Sequence, residues 1–484
     1  MNNFINKKTK IISTCGPASN NLDTLKAIIN NGGDLFRLNM SHNHNHSDLQ
    51  KTIDLIRKAS TEVGKHVGIF IDLQGPKIRL GEFDIDFVTL ENGDTITLTS
   101  SPCICTKNKV YVDYDNLHKD AQIGDPVYIN DGKIKLEVIE IKDNDIICKV
   151  LVGGDISNHK GVNLPKTVLS ISAFTEKDEK DSLFGIQANV EYIALSFVST
   201  AKDVKSFRSF LNKSGGKNIK IISKVEKQLA IDNVDKIIDA SDAVMVARGD
   251  LGVEIEVENV PKAQKEIIQK CNLKIKPVIV ATQMLESMIQ STTATRAEVS
   301  DTANAIYDHC DAVMLSAETA VGIDPANVVQ TMANICSAAD THLIEMRQNS
   351  TFVRKHIFES ATIATSFCRS ADQIAEENKA AAILVFTSSG NTPLIASKID
   401  SSIPIIAPTD CEIVCKQMSL FRGVYPMMMP TMYSEIHRWT DMINIAVKHA
   451  LHLNLLKKGD TVVVTAGIPI GKSNGINSIR IIEI

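Results

Sequence analysis

The sequence predicts an α/β protein: a (β/α)8 TIM barrel with an inserted small β-barrel lid domain and a C-terminal α/β domain. Three observations predict it. Short apolar, β-branched runs recur eight times with helical spacing between most of them. That rhythm breaks once, after the third run, in a long stretch whose first part alternates apolar and polar residues. Strand and helix signals then alternate again after about residue 345. The expected division is 1–76 and 167–344 for the split barrel, 77–166 for the lid and 345–484 for the C-terminal unit.

The eight barrel runs are 10–15, 35–40, 67–73, 192–198, 219–225, 243–247, 277–282 and 312–315. Near-continuous apolar strands separated by amphipathic helices, such as 21–30, 48–63, 202–212, 228–238 and 261–271, require a parallel sheet covered on its outer face. Eight such units imply a closed barrel, with an open doubly wound sheet as the structural alternative; a barrel's chemistry lies at the C-terminal ends of its strands. The lid strands are expected at 87–99, 110–114, 126–141 and 146–152, with Asn130-Asp131-Gly132 as a hairpin turn because these residues tolerate positive φ. The lid leaves the barrel after strand three, so it emerges on the chemical face. The C-terminal strands are expected at 381–387, 403–407, 424–427, 461–466 and 478–484, with helices at 393–398, 412–420 and 435–455.

Composition removes several classes of function. With 44% hydrophobic and 23% charged residues over 484 positions, the chain can bury large cores and is no disordered regulator. No apolar run reaches the roughly 18 residues of a membrane span, and the start has no signal-like apolar segment. A net charge of −5 without a basic block, and a single Trp, argue against a nucleic-acid partner. The 10 cysteines form no zinc-type pairs, so buried free thiols and a cytoplasmic location are expected.

The functional signal is polar residues at strand ends. Strand two ends in Arg37-Leu38-Asn39-Met40-Ser41-His42 and strand three in Asp72-Leu73-Gln74-Gly75-Pro76-Lys77. Strands five to eight end in Ser223-Lys224-Val225-Glu226, Arg248-Gly249-Asp250, Thr282-Gln283 and Ser316-Ala317-Glu318. One buried charge is easily a satisfied ion pair; several converging on one mouth point to a ligand. Glu226 and Asp250 are hard oxygen donors on adjacent strands, unaccompanied by His or Cys, which suits Mg²⁺ or Mn²⁺. Lys224 and Arg37 add positive charge, and Gly249 is expected to leave an open N–H for a small carboxylate. Phosphoryl transfer and enolate formation from a 2-oxo acid both fit this set.

The segments TKIISTCGPAS, FRLNMSH, DLQGPKIR, HKGVNLP, SKVE, VARGDLG, ATQMLESM and SAETA occur in this order. The chain resembles the pyruvate kinase family along nearly its whole length. The resemblance implies transfer of the phosphoryl group of phosphoenolpyruvate to ADP, giving ATP and pyruvate. It implies that Glu226 and Asp250 bind the divalent metal, and that Lys224 stabilises charge on the phosphoryl group and enolate. Arg37 would hold the transferring phosphate, Gly249, Asp250 and Thr282 the substrate carboxylate, and Thr282 would lie on the proton route to the enolate carbon. Asn39, His42, Arg79 and Lys160 would contact the nucleotide phosphates. Many relatives bind K⁺ at positions matching Asn39, Ser41, Asp72 and Leu73. Here Lys77 stands where those relatives have Glu, which resembles the K⁺-independent branch, so activity without K⁺ is expected.

In the C-terminal domain, Thr387-Ser388-Ser389-Gly390-Asn391-Thr392 ends a strand and opens a helix, and in the family this loop binds a phosphorylated allosteric effector. The loop 467–475 is expected to fold over it. The family is commonly a homotetramer. Other features read as ordinary structure: His42, His44 and His46 are no metal tract but lead into a helix cap at Ser47, with His42 alone belonging to the phosphate motif, Met427, Met428 and Met429 fill core or interface, and Cys15 is a packed thiol. Two rival readings are a Mg²⁺-dependent lyase or aldolase of 2-oxo acids on the same barrel, and a non-catalytic relative that keeps the fold.

Overall fold

A computed structural model describes residues 7–41, 45–165, 167, 169–171, 173–349, 361–436, 438–468 and 475–484. Eight parallel strands close into a barrel: Lys10–Thr14, Leu35–Asn39, Gly68–Asp72, Tyr192–Leu195, Lys220–Val225, Ala243–Ala247, Val278–Ala281 and Ala312–Leu315. The first pairs with the last through Lys10↔Ala312 to Ser13↔Leu315, which completes the ring. These are the eight apolar runs, six of them trimmed by a residue or more where the chain leaves the ladder and two, 243–247 and 312–315, unchanged.

Side chains alternate across each strand. Leu35, Phe70, Ile222 and Met245 fill the barrel, whereas Phe36, Ile69, Ile221 and Val244 face the helices outside. The same period places Arg37, Asp72 and Lys224 on the interior side, at the end where packing stops and the mouth begins. Helix starts follow their caps. Asn45, rather than the expected Ser47, caps His46–Val63 by accepting the Ser47 N–H, and Gly64 ends that helix at φ 73°.

The lid forms a six-stranded sheet in the order Val162–Asn163, Pro126–Ile129, Ile134–Lys142, Asp145–Val152, Thr95–Thr99, Lys109–Tyr111, beside a ribbon of Gly154–Ile156 and Val88–Leu90. Arg79 bridges to Gly161 at one sheet edge and Leu80 to Val112 at the other, so one segment draws the two edges together. The expected hairpin turn is present, with φ of 55°, 56° and 80° at Asn130, Asp131 and Gly132.

The C-terminal unit holds four parallel strands, Val424–Met428, Ile405–Thr409, Ala382–Val385 and Thr461–Ala466, and an antiparallel edge strand, Ser478–Glu483. The helix Pro325–Asn349 runs through the expected 344/345 division. The unit docks on the barrel end opposite the mouth. Tyr192 Oη donates to the Gln417 carbonyl at 2.6 Å, and Arg422 lies 2.7 Å from Asp340 Oδ1 and 3.3 Å from Asp400 Oδ1.

All ten cysteines are free: Cys103, on the lid, is exposed, Cys411 is half-buried and the rest are buried. Burial pushes the Cys15 thiol up to about 12, consistent with an inert packed group. Met427 and Met429 are buried core residues. No helix among the described residues is long and apolar enough to cross a membrane.

Candidate active site

Asp72 is the hub of the mouth. It is 1% exposed at the end of strand three. Its Oδ2 accepts from Arg37 Nε at 2.8 Å and lies 2.7 Å from Arg37 Nη2, while Lys224 Nζ stands 3.3 Å from Oδ1. Lys224 is also 2.7 Å from Glu226 Oε1 and donates to Ser196 Oγ at 2.9 Å. Ser196 in turn donates to the Leu73 carbonyl at 2.7 Å. Four strand ends thus converge on one ammonium and one guanidinium.

The electrostatics follow from this packing. Burial alone would raise the Asp72 carboxyl, but Lys224 and Arg37 overcome it and hold the group below its ordinary value. Burial alone would lower Lys224, but Asp72, Glu226 and Asp250 overcome it and push the ammonium well above its ordinary value. Burial raises Glu226 despite Lys224. Lys224 is therefore a fixed cation, locked between two carboxylates.

The carboxylates fit a divalent metal. Glu226 Oε2 accepts the Phe197 N–H at 2.7 Å, but Oε1 is buried with no hydrogen-bond partner of adequate geometry among the described residues. Asp250 opens the helix Arg248–Glu254 and makes no hydrogen bond or ion pair with any described residue. Two carboxylates on adjacent strands, Asp250 without a side-chain partner among the described residues and Glu226 shared with Lys224, and no thiol or imidazole between them, suit a hard cation.

Thr282 ends strand seven in a strained turn. It has φ 73° and Gln283 φ 53°, and a β-branched residue there is a true outlier. Arg248 holds the turn by donating to the Thr282 carbonyl at 2.8 Å while lying 2.7 Å from Asp301. The expectation of an open Gly249 N–H is corrected: it donates to Thr282 Oγ1 at 2.7 Å, and that hydroxyl donates to the Ala281 carbonyl at 2.5 Å. Glu318, read from its position as part of the mouth, spends its carboxylate on the N–H groups of Ser316 and Leu285 at 2.6 and 3.1 Å and is structural.

The other expected positions fall in two places. Asn39 pairs in register with Asp72, and its Oδ1 accepts the Ser41 N–H at 3.1 Å. Arg79 donates to the His159 carbonyl at 2.9 Å, and the Lys160 carbonyl accepts the Leu80 N–H at 2.8 Å, so both cations belong to the lid. Lys77 is half-buried beside Gly161, with no side-chain hydrogen bond or ion pair to any described residue. His42 and His44 lie outside the described residues, whereas His46 is an ordinary structural contact, 2.8 Å from Asp181 and stacked on Phe184.

In the C-terminal unit, Thr387 Oγ1 accepts the Gly390 N–H at 2.9 Å, Gly390 has φ 81°, and Ser388, Ser389 and Asn391 are exposed around it. Thr392 follows in the helix Asn391–Ser397. Of the loop 467–475, residues 469–474 lie outside the described residues. Nothing in the sequence singles out Ser196, Phe197 or Arg248 for these contacts: Ser196 and Phe197 lie within the apolar run 192–198, which carries no charge at its end, and Arg248 is placed only by its strand.

A closed barrel whose mouth gathers hard carboxylates and the cations paired with them, beside a β lid bearing further cations, has the makeup of an enzyme site for an anionic substrate. The chain matches "Pyruvate kinase, barrel domain" over residues 6–329 and "Pyruvate kinase, alpha/beta domain" over 365–482. A pyruvate kinase of Corynebacterium glutamicum is 40% identical over 477 residues, covering 99% of this chain and 98% of the relative. One of Geobacillus stearothermophilus is 39% identical over 478 residues, covering 98% and 80%. A crystal structure of a pyruvate kinase from Cryptosporidium parvum is similar with a TM-score of 0.90 at 35% identity, covering 100% of this chain and 97% of that one. The chain belongs to the pyruvate kinase family.

Proposed function

We infer that the protein is a phosphotransferase that moves the phosphoryl group of phosphoenolpyruvate to ADP, giving ATP and pyruvate. The observation that carries this reading is Lys224, a buried ammonium pinned between Asp72 and Glu226 at the mouth. Its raised pKa lets it stabilise the separating phosphoryl group and enolate by charge, without exchanging its own proton. Arg37, oriented by Asp72, holds the transferring phosphate. Gly249, Asp250 and Thr282 take the substrate carboxylate, which displaces the Gly249–Thr282 hydrogen bond and frees the hydroxyl to pass a proton toward the enolate carbon through water. Glu226 and Asp250 hold Mg²⁺ or Mn²⁺, which when bound supplies further positive charge to the substrate oxygens. Arg79 and Lys160 on the lid, with Asn39 and His42, hold the nucleotide phosphates, and the seated lid excludes water that would otherwise take the phosphoryl group.

Lys77 supplies the monovalent charge that related enzymes recruit as K⁺ at positions matching Asn39, Ser41, Asp72 and Leu73. Its half-buried ammonium, without a carboxylate partner among the described residues, supports that reading. Full activity in K⁺-free, Na⁺-free buffer is expected; a large loss restored by K⁺ would overturn it. Residues 387–392 form the phosphate cradle of an allosteric effector, either a sugar phosphate or a nucleotide, in a cytoplasmic homotetramer. The catalytic reading is tested by coupled assay of pyruvate formation from phosphoenolpyruvate with and without ADP: strict ADP dependence is expected, and ADP-independent turnover would favour a lyase.

A further inference from the structure

The lid meets the mouth at the same short helix that presents Gly249 and Asp250. Asn163, in the lid strand Val162–Asn163, donates from Nδ2 to Glu254 Oε1 at 3.0 Å. The lid's hairpin turn packs one residue away, where a Cβ built on Gly132 would lie 3.6 Å from Val253 Cγ1. Val253 and Glu254 are the last two residues of the seven-residue helix Arg248–Glu254. Glu254 is 8% exposed, and the charged groups that face it are Lys227 and Asp250. Asp250 and Glu254 stand four residues apart, so they share a face one turn above the other.

Two physical points give this contact a purpose. A helix of two turns with no side-chain N-cap has little stability of its own; Arg248 and Gly249 hold its start against strand seven, so the placing of its Glu254 end depends on what docks there. A buried carboxylate beside a second carboxylate is costly unless a donor satisfies it, and Asn163 is the donor. With the lid seated, the Glu254 end of the helix is anchored at two adjacent residues. With the lid lifted, the carboxylate loses its amide while keeping its like-charged neighbour, and the Glu254 end of the helix loses its anchor while the Arg248 end stays held.

We propose that Glu254 is a positioning residue through which lid docking, by way of Asn163, orients Asp250. The carboxylate and metal site is then complete only beneath a seated lid. This rests on the reading of Asp250 as a ligand of the divalent cation. It goes beyond lid closure as a water barrier, because it makes the lid a determinant of cation affinity.

The test is Mn²⁺ binding to the full-length protein with phosphoenolpyruvate, followed by loss of the free-ion paramagnetic resonance signal, alongside kcat and the KM for Mn²⁺. Asn163→Asp sets carboxylate against carboxylate, and Asn163→Asp combined with Glu254→Gln rebuilds the pair with donor and acceptor exchanged. The single variant is expected to bind Mn²⁺ about tenfold more weakly, as for loss of a hydrogen bond to a charged group, and the double variant to return to within about threefold of wild type. Unchanged Mn²⁺ affinity in the single variant, or no recovery in a double variant that melts like wild type, would overturn the proposal. If Asn163→Asp does not fold, Asn163→Ala carries the same measurement, and wild-type affinity there is equally fatal. Asp250→Asn separates the two readings: if it leaves Mn²⁺ binding intact, the metal assignment itself has failed.

Discussion

Lys10 and Lys224 are both buried in the barrel, at opposite ends of its strands, and their surroundings push them in opposite directions. Lys224 has two carboxylates within 3.3 Å. Lys10 donates to the Val424 carbonyl at 2.7 Å and lies 5.0 Å from the Tyr425 ring centroid, with no ion pair to any described residue. Burial therefore lowers it from 10.5 to about 7, helped by Lys7 and Lys65 and opposed by Asp34. Between those values the unfolded chain binds a proton that the folded chain refuses, so stability rises with pH across that window and the cost is constant below it. Lys10→Met should flatten this rise, measured as the difference in denaturant stability between variant and wild type at the two ends of the window. Lys224→Met should lower kcat by about 10³-fold or more while phosphoenolpyruvate binding largely persists, checked by kinetics and direct titration. The sequence placed both lysines on strands, but the sign of each shift depends on which carboxylates the fold brings beside them. Asp72 illustrates this: read only as a monovalent-cation position, it is the acid that orders both Arg37 and Lys224.

Among elements, the turn after strand seven shows strain retained at a working site. Gln283 is exposed at φ 53°. Gln283→Gly should relieve the backbone and stabilise the fold by about 1 kcal/mol, read by chemical denaturation, with phosphoenolpyruvate kinetics reporting whether the strain was holding Thr282 in place. The barrel strands were legible because an apolar, β-branched run can do little else between two amphipathic helices. The lid strands were legible from alternation, and the turn at Gly132 from its residue types. Asn163–Glu254 was not legible, since nothing local distinguishes an amide and a carboxylate separated by 91 positions from any surface pair. Gly249 was misjudged for a related reason: the hydroxyl that occupies its N–H belongs to another strand.

At the scale of the whole molecule, the C-terminal unit is fastened to the barrel by buried charge. Arg422 is 4% exposed and reaches Asp340, Asp400 and Thr9 Oγ1, while Asp340 also accepts the N–H groups of Lys8 and Thr9 at 2.8 and 2.9 Å. Removing one partner of such a set leaves the others buried and unpaired. Arg422→Met should therefore cost about 3–5 kcal/mol, and calorimetry should show the C-terminal unit melting ahead of the barrel. This junction was hidden in the sequence: Arg422, Asp340 and Asp400 lie far apart along the chain, and the helix Pro325–Asn349 carries no boundary signal at residue 345. The distribution of thiols has a practical consequence at this same scale. Because Cys103 is the one exposed thiol and sits on the lid, a maleimide dye will attach there first on the natural chain. The lid thus already carries its own labelling handle, and the closure proposed above can be tested by fluorescence without altering a single residue.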